Sequence, residues 1–285
     1  MADLEATLRK RYLPRPFKED LFLCPNAADV KFTRDARPEI RAELWNTKRL
    51  GAARAVVIED ASRTRSHLPP VLASSPPLEC LQVPQHLAAQ LREVHVRNLR
   101  GELRIRGEGV ADLHEIGLAE GITHLGGYKI TTRFNGASFP ALRGLATWEK
   151  NRKQLLEVLA ELPKLRSLFV PAYQELFADL PPTLGFLQLL WGSVESLEGI
   201  SRLSTLEWLM IDRVTKLTSL DGLRGHPTLK MLGLTHCAAL KSVSAVAECP
   251  KVHSVTFSSC KQVATSAETL RKAMAARGGV VTIAS

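Results

Sequence analysis

The sequence is poor in aromatic residues and cysteines, and it has no long apolar run. Aromatic residues make up 6% of the 285 residues, and the five cysteines are dispersed without a Cys-x-x-Cys pair. Neither a zinc ribbon nor a thioredoxin-type site is therefore indicated. No apolar stretch approaches the roughly 18–20 residues that a membrane helix needs, and the charged N-terminus lacks the apolar segment of a secretory signal. These absences predict a cytoplasmic protein with reduced thiols and no membrane partner.

The sequence also lacks the short motifs that accompany common catalytic and cofactor sites. It contains no Gly-x-Gly-x-x-Gly run, P-loop, His-Glu-x-x-His helix or Gly-x-Ser-x-Gly elbow. His236 and His253 fall at different positions of neighbouring segments and need not face each other. We therefore predict no catalysis, no cofactor and no metal site. An enzyme with an unrecognised site that involves the N-terminal region is the remaining alternative of that class.

A repeat with a period of 23 residues marks the C-terminal part of the sequence. Each unit contains a Leu-x-x-Leu-x-Leu segment, with aliphatic or aromatic substitutes, and the pattern extends upstream with slightly shorter spacing. Self-similarity of this kind indicates stacked units, because one unit cannot bury its apolar face alone. The segments begin at Leu142, Leu165, Leu184, Leu206, Leu229 and Val252.

A second apolar pattern, with a spacing of three residues, follows three of these segments. Alternation with period two suits a strand, whereas a spacing of three suits a helical or 3-10 return. Each unit is thus predicted to be a short strand, a turn and a tight return that closes its underside. The triplets are Val194, Leu197 and Ile200, then Leu217, Leu220 and Leu223, then Leu240, Val243 and Val246.

The repeated segments resemble the leucine-rich-repeat family, whose pattern is L-x-x-L-x-L-x-x-N/C-x-L. Cys237 and Cys260 occupy the Asn/Cys position, and the resemblance implies that their polar groups bond to the backbone of the turn. The short units look most like irregular, internalin-like varieties. The resemblance covers 165–263 strongly and 142–285 more loosely. It implies an α/β solenoid, with a parallel sheet on a concave face and short helices or 3-10 turns on a convex face.

Residues 51–285 are predicted to form this solenoid, with degenerate repeats over 51–141 and clearer ones over 142–285. Strands are expected at 56–58, from Leu78 and from Leu91, with further units near 113–118 and from Ile122. The pattern predicts helices over 151–162 and 269–277 and a last strand over 280–283. Residues 1–50 do not repeat. We interpret them as a partly helical N-terminal cap, or alternatively as a separate functional module.

The strand pattern also predicts which side chains line the binding face. In Leu-x-x-Leu-x-Leu the two later leucines point inward, so the residues beside them point outward. Adjacent strands then bring four outward side chains into one exposed apolar band, which three others widen, and such patches mark interaction sites. A terminal segment or loop that covers the band, or a register error of one residue, is the alternative. The band is Phe169, Phe186, Trp208 and Met231, widened by Leu190, Trp191 and Met210.

These observations favour a scaffold that recognises a partner protein on the strand face without chemistry of its own. The formal net charge of +9 raises nucleic acid as an alternative partner. The basic stretch 97–106 would supply the phosphate contacts if it formed a hairpin or paired strands. No RNP, KH or helix-turn-helix signature accompanies this stretch. The partner's identity and the oligomeric state are not encoded in any pattern of the sequence. The basic residues are Arg97, Arg100, Arg104 and Arg106.

Overall fold

A computed structural model describes residues 30–32, 55–58, 67–68, 72–73, 77–107, 109–127, 129–130, 135–149, 151–173 and 176–284. The chain forms two units, Met1–Trp148 and Glu149–Ser285. Apart from residues 30–32, the predicted N-terminal cap lies outside the described residues.

The first unit is built around a parallel sheet whose strands follow one another in chain order. A separate pair of two-residue strands, β5 (Val110–Ala111) and β7 (Lys129–Ile130), is also parallel. Short helical segments connect the strands, namely 3-10 helices at Gln85–Gln90 and Gly136–Ser138 and helix α1 at Glu93–Val96. The main sheet comprises β1 (Val30–Phe32), β2 (Ala55–Ile58), β3 (Leu78–Pro84), β4 (Leu99–Arg106), β6 (His124–Gly127) and β8 (Gly144–Thr147).

The strand predicted from Leu91 is wrong, because residues 93–96 form α1 and the strand of that repeat begins at Leu99. The register with β3 shifts by one residue between Leu78 and Cys80, so β4 carries one extra residue before Leu103. Gly101 lies in this irregular stretch, where a Cβ would overlap the carbonyl oxygen of Glu79. The extra residue breaks the Leu-x-x-Leu-x-Leu spacing, so the sequence pattern did not predict this strand.

The second unit contains a parallel sheet of six strands among the residues that the structure describes, again in chain order. Helix α2 (Arg152–Ala160) lies within the predicted range 151–162, and α3 (Ala264–Ala275) begins five residues before the predicted start. Four 3-10 helices lie at Leu176–Asp179, Ile200–Arg202, Asp221–Leu223 and Ser244–Glu248. The strands are β9 (Ser167–Ala172), β10 (Phe186–Gly192), β11 (Trp208–Val214), β12 (Met231–Thr235), β13 (Ser254–Ser258) and β14 (Val280–Ala284).

Aliphatic side chains from successive strands line the inner face of each sheet. In the second unit Leu187 pairs with Leu209, and Leu209 with Leu232, and none of the three is more than 2% exposed. The three predicted apolar triplets of the returns are also fully buried. Strand, turn and return of successive repeats therefore stack to enclose a continuous core, as the periodicity predicted. The same inner position of the first unit is occupied by Leu81, Leu103, Leu125 and Leu145.

One expectation about the cysteines is wrong. Cys80 on β3 is disulfide-bonded, whereas Cys237, Cys249 and Cys260 are free and buried. The spacing of cysteines along a chain does not determine which thiols meet in the fold, so the sequence could not reveal this bond. No helix within the described ranges is long and apolar enough to cross a membrane.

Candidate functional site on the outer strand face of the second unit

The outer face of the second sheet carries side chains in rows, because parallel strands in register align equivalent residues. We call the rows the first, second and third outer rows, in the direction of the chain. The first is Ser167, Phe186, Trp208, Met231 and Ser254; the second is Phe169, Gln188, Met210, Gly233 and Thr256; the third is Pro171, Leu190, Asp212, Thr235 and Ser258.

Three aromatic rings pack against one another across the first two rows. The ring centroids of Phe169 and Phe186 are 5.2 Å apart, and those of Phe186 and Trp208 are 5.4 Å apart at an interplanar angle of 84°. These are the tilted and edge-to-face arrangements that aromatic quadrupoles favour. Met231 lies beside Trp208 in the first row, on the next strand. We call these four residues and Met210 the aromatic cluster.

Met210 fills the space that a side chain on the neighbouring strand would otherwise occupy. Its partner in the second row is Gly233, where a Cβ would overlap the sulfur and methyl group of Met210. A side chain at this position would thus displace the end of the Met210 side chain, whereas the φ of Gly233 lies outside the left-handed region. The missing side chain lets the thioether cover the adjacent strand.

The predicted band is continuous, but less of it is exposed than the sequence suggested. Phe186 and Trp208 are each 3% exposed and Met231 is 9% exposed. Phe169, Leu190 and Met210 are half-buried, and Trp191, at 40% exposure, is the most accessible member of the predicted set. Outward orientation from a strand does not by itself expose a side chain, because large neighbours in the same row cover one another. The accessible part thus lies toward the strand ends.

The strands leave the sheet through turns that share one unusual backbone conformation. Four residues that directly follow the third outer row have positive φ angles: Trp191 (41°), Arg213 (56°), His236 (54°) and Ser259 (54°). Left-handed geometry is uncommon for residues with a side chain and persists only where the surrounding structure fixes it. The repeat thus places four side chains in equivalent positions along one edge of the face. We call this edge the strand-exit rim.

Charged and aromatic groups meet at this rim. The Arg213 guanidinium carbon lies 5.5 Å from the centre of the Trp191 ring, which is a cation–π distance. His236 Nδ1 lies 3.5 Å from Asp212 Oδ1. Asp212 is only 8% exposed, and its Oδ1 has no hydrogen-bond partner in the part of the chain that the structure describes. The repeat spacing marks these positions as equivalent, but the backbone conformation that gathers them is not visible in the sequence.

The turns after β12 and β13 contain the two cysteines at the Asn/Cys position. Cys237 Sγ lies 3.8 Å from the carbonyl oxygen of Ile211 on the preceding strand, and Cys260 Sγ lies 3.7 Å from that of Leu234. Contact with the Cys260 thiol, followed by burial, raises the pKa of Cys237, and contact with the Cys237 thiol lowers the pKa of Cys260. Each cysteine thus joins one turn to the strand before it.

The chain has a leucine-rich-repeat fold.

Comparisons with known proteins found distant similarities to solved structures. No protein-family model matches the chain, and no curated protein matches it. The chain is similar to the crystal structure of an internalin (InlF) from Listeria monocytogenes, with 14% identity and a TM-score of 0.42 over 81% of this chain and 72% of that chain. It is also similar to TLR13 in its complex with ssRNA13, with 17% identity and a TM-score of 0.42 over 71% of this chain and 28% of that chain. The chain therefore matches less than a third of the TLR13 chain.

The basic stretch of the first unit does not form a hairpin, but residues 99–106 form β4, which pairs in parallel with β3 and β6. Arg97 donates to the carbonyl oxygen of Ala73, and Arg100 donates to that of Arg97 at 2.7 Å. Arg104 Nε donates to Glu102 Oε1 at 2.9 Å. Three of the four guanidinium groups are thus already engaged within the fold. Among the described residues no group of three or more His, Cys, Asp or Glu side chains is placed to hold a metal ion.

Proposed function

We propose that the second unit recognises a partner protein through its outer strand face, as a scaffold without chemistry of its own. One observation carries the proposal: most side chains on the face opposite the leucine core are also apolar over β9 to β12. A strand face that only meets water would carry polar side chains, as β13 does with Ser254, Thr256 and Ser258. An apolar face that is not part of the core is typical of an interaction surface.

The composition and layout of the surface support a protein partner. Trp191 and Met210 provide adaptable apolar area, and aromatic residues and methionine are enriched where proteins meet. The rings of the aromatic cluster pack against one another and are thus held in place, so binding orders few further groups. No contact of the basic stretch 97–106 favours nucleic acid over protein. The disulfide at Cys80 favours an oxidising compartment, so the predicted cytoplasmic location is not part of this proposal.

The test replaces the accessible apolar side chains and leaves the buried ones intact. The variant combines Trp191→Asn with Leu190→Ser, because asparagine tolerates the positive φ of position 191. The control is Ile283→Thr on β14, which removes an apolar side chain of 41% exposure outside the cluster. Full-length wild type and variants are immobilised, and bound proteins are quantified by mass spectrometry.

We expect one partner to be retained by wild type and control and reduced about thirtyfold or more by the double variant, since losing a binding hot spot costs about 2 kcal/mol or more. The melting temperature of the double variant should stay close to that of wild type, because both side chains are accessible. Equal retention by all three proteins would show that the face does not bind.

A further inference from the structure

We propose that Asp212 is the anchor for a basic side chain, a lysine or arginine, of the partner protein. This inference rests on the proposed function and names the chemistry that the partner must present at the strand-exit rim. Asp212 lies in the third outer row, at the end of β11, between the accessible Leu190 and Thr235. Asp212 is therefore a charged residue at the edge of the outer strand face of the second unit.

The state of the Asp212 carboxylate is the first step of the argument. Oδ1 is buried and has no hydrogen-bond partner among the described residues, although the residue is 8% exposed. A buried carboxylate oxygen without a donor is costly, and native structures retain few of them. Because Oδ1 itself is buried, a cation from outside the chain reaches the carboxylate through the exposed part of the residue and offsets that cost by charge attraction.

Among the described residues, the two basic side chains near Asp212 do not hydrogen-bond to its Oδ1. His236 Nδ1 is 3.5 Å from Oδ1, but this contact does not meet hydrogen-bond geometry. The Arg213 side chain is directed to the Trp191 ring, with 5.5 Å between the guanidinium carbon and the ring centre. Arg213 and His236 both have positive φ angles.

The surroundings of Asp212 favour a cation on an aliphatic stem. Leu190 is half-buried beside the carboxylate, and Trp191 follows it with 40% exposure. Lysine and arginine lay their methylene stems along apolar surface and place the charged head at its polar end. A head group that donates to a carboxylate makes one of the stronger hydrogen bonds available to proteins. A small inorganic cation would gain nothing from the apolar neighbours.

The test uses a display library of random twelve-residue peptides, selected on the full chain. Wild type is compared with Asp212→Asn and with the control Glu268→Gln, which removes an exposed acid paired with Arg271 on α3. We expect wild type and control to select peptides with a lysine or arginine next to apolar residues. The Asp212→Asn protein should keep the apolar preference and lose the basic one. A synthetic consensus peptide should bind Asp212→Asn about thirtyfold more weakly than wild type.

A second measurement separates recognition from a structural role. Because Asp212→Asn removes a charge without a hydrogen-bonded partner, the melting temperature of the free protein should stay equal or rise. A fall would mean that the carboxylate stabilises the fold through His236, and the inference would be wrong. The inference would also be wrong if wild type selected peptides without a basic residue. It would be wrong as well if the Asp212→Asn protein still required a basic residue in its peptides. If no peptide binds any of the three proteins, the proposed function itself fails.

Discussion

The outer faces of the two sheets differ in chemistry although their inner faces are alike. In the first unit the outer positions next to the leucine row hold Glu102 and His124, which are only 3% and 4% exposed. The equivalent positions of the second unit hold Phe186 and Trp208, which are equally buried. One face is thus stabilised by polar contacts, such as Arg104 with Glu102, and the other by packed rings.

This difference shows which part of a leucine-rich repeat is free to vary. The inner row must be aliphatic in both units because stacked strands share one core. The outer row carries no such requirement, so it can hold buried polar groups in one unit and an apolar cluster in the other. The three predictions below test this division, from the largest expected effect to the smallest.

The largest effect should come from the inner rows, and it should be the same in both units. Leu103→Ala in β4 and Leu209→Ala in β11 each remove a side chain that is fully buried. Each change is expected to lower the free energy of unfolding by about 3–5 kcal/mol, since it loses buried apolar area and leaves a cavity. Urea unfolding followed by circular dichroism measures both. A loss below about 1 kcal/mol in either variant would contradict a common core.

The polar outer face of the first unit should depend on its ion pair. Arg104→Met leaves the buried Glu102 carboxylate without the two contacts of 2.8 and 2.9 Å that Arg104 supplies. The variant should lose about 2–3 kcal/mol of unfolding free energy, because a buried charge that loses two close contacts is costly. The matched control is Arg106→Met, an exposed arginine on the same strand, which should change stability by less than about 0.5 kcal/mol.

Adding Glu102→Gln to Arg104→Met should recover part of the lost stability, because the second change removes the buried negative charge of Glu102. If the two single changes add without recovery, the pair does not act as a unit, and the polar face is held by other contacts.

The smallest effect should come from the second outer row of the second unit. Gly233→Ala places a Cβ where Met210 now lies, so the thioether must move. The cost is expected to be about 1–2 kcal/mol, which is typical of overpacking. Combining it with Met210→Ala should be milder than the sum of the single changes, because the overlap is gone. A calorimetric melting series of the four proteins gives the coupling, and strict additivity would show that the two residues do not meet.

Much of the fold could be predicted from the sequence because its signals are local. The spacing of leucines over 142–285 predicted the strands, and the apolar triplets predicted the returns, since burial imposes a period on each element. The prediction failed where one residue was inserted. The extra residue of β4 disrupts the leucine spacing, so the pattern did not predict this strand. The apolar spacing over 91–96 predicted a strand, but residues 93–96 form α1.

The candidate site, like the fold, could be predicted from the sequence only in part. The strand period by itself determined which side chains leave the core, and so named Phe169, Phe186, Trp208 and Met231 as neighbours. Only the tertiary structure decided how much of that apolar band is accessible, because exposure depends on what the adjacent rows carry. It also decided that Asp212 is buried beside His236, because the positive φ angles that form the rim are set by stacking of the repeats.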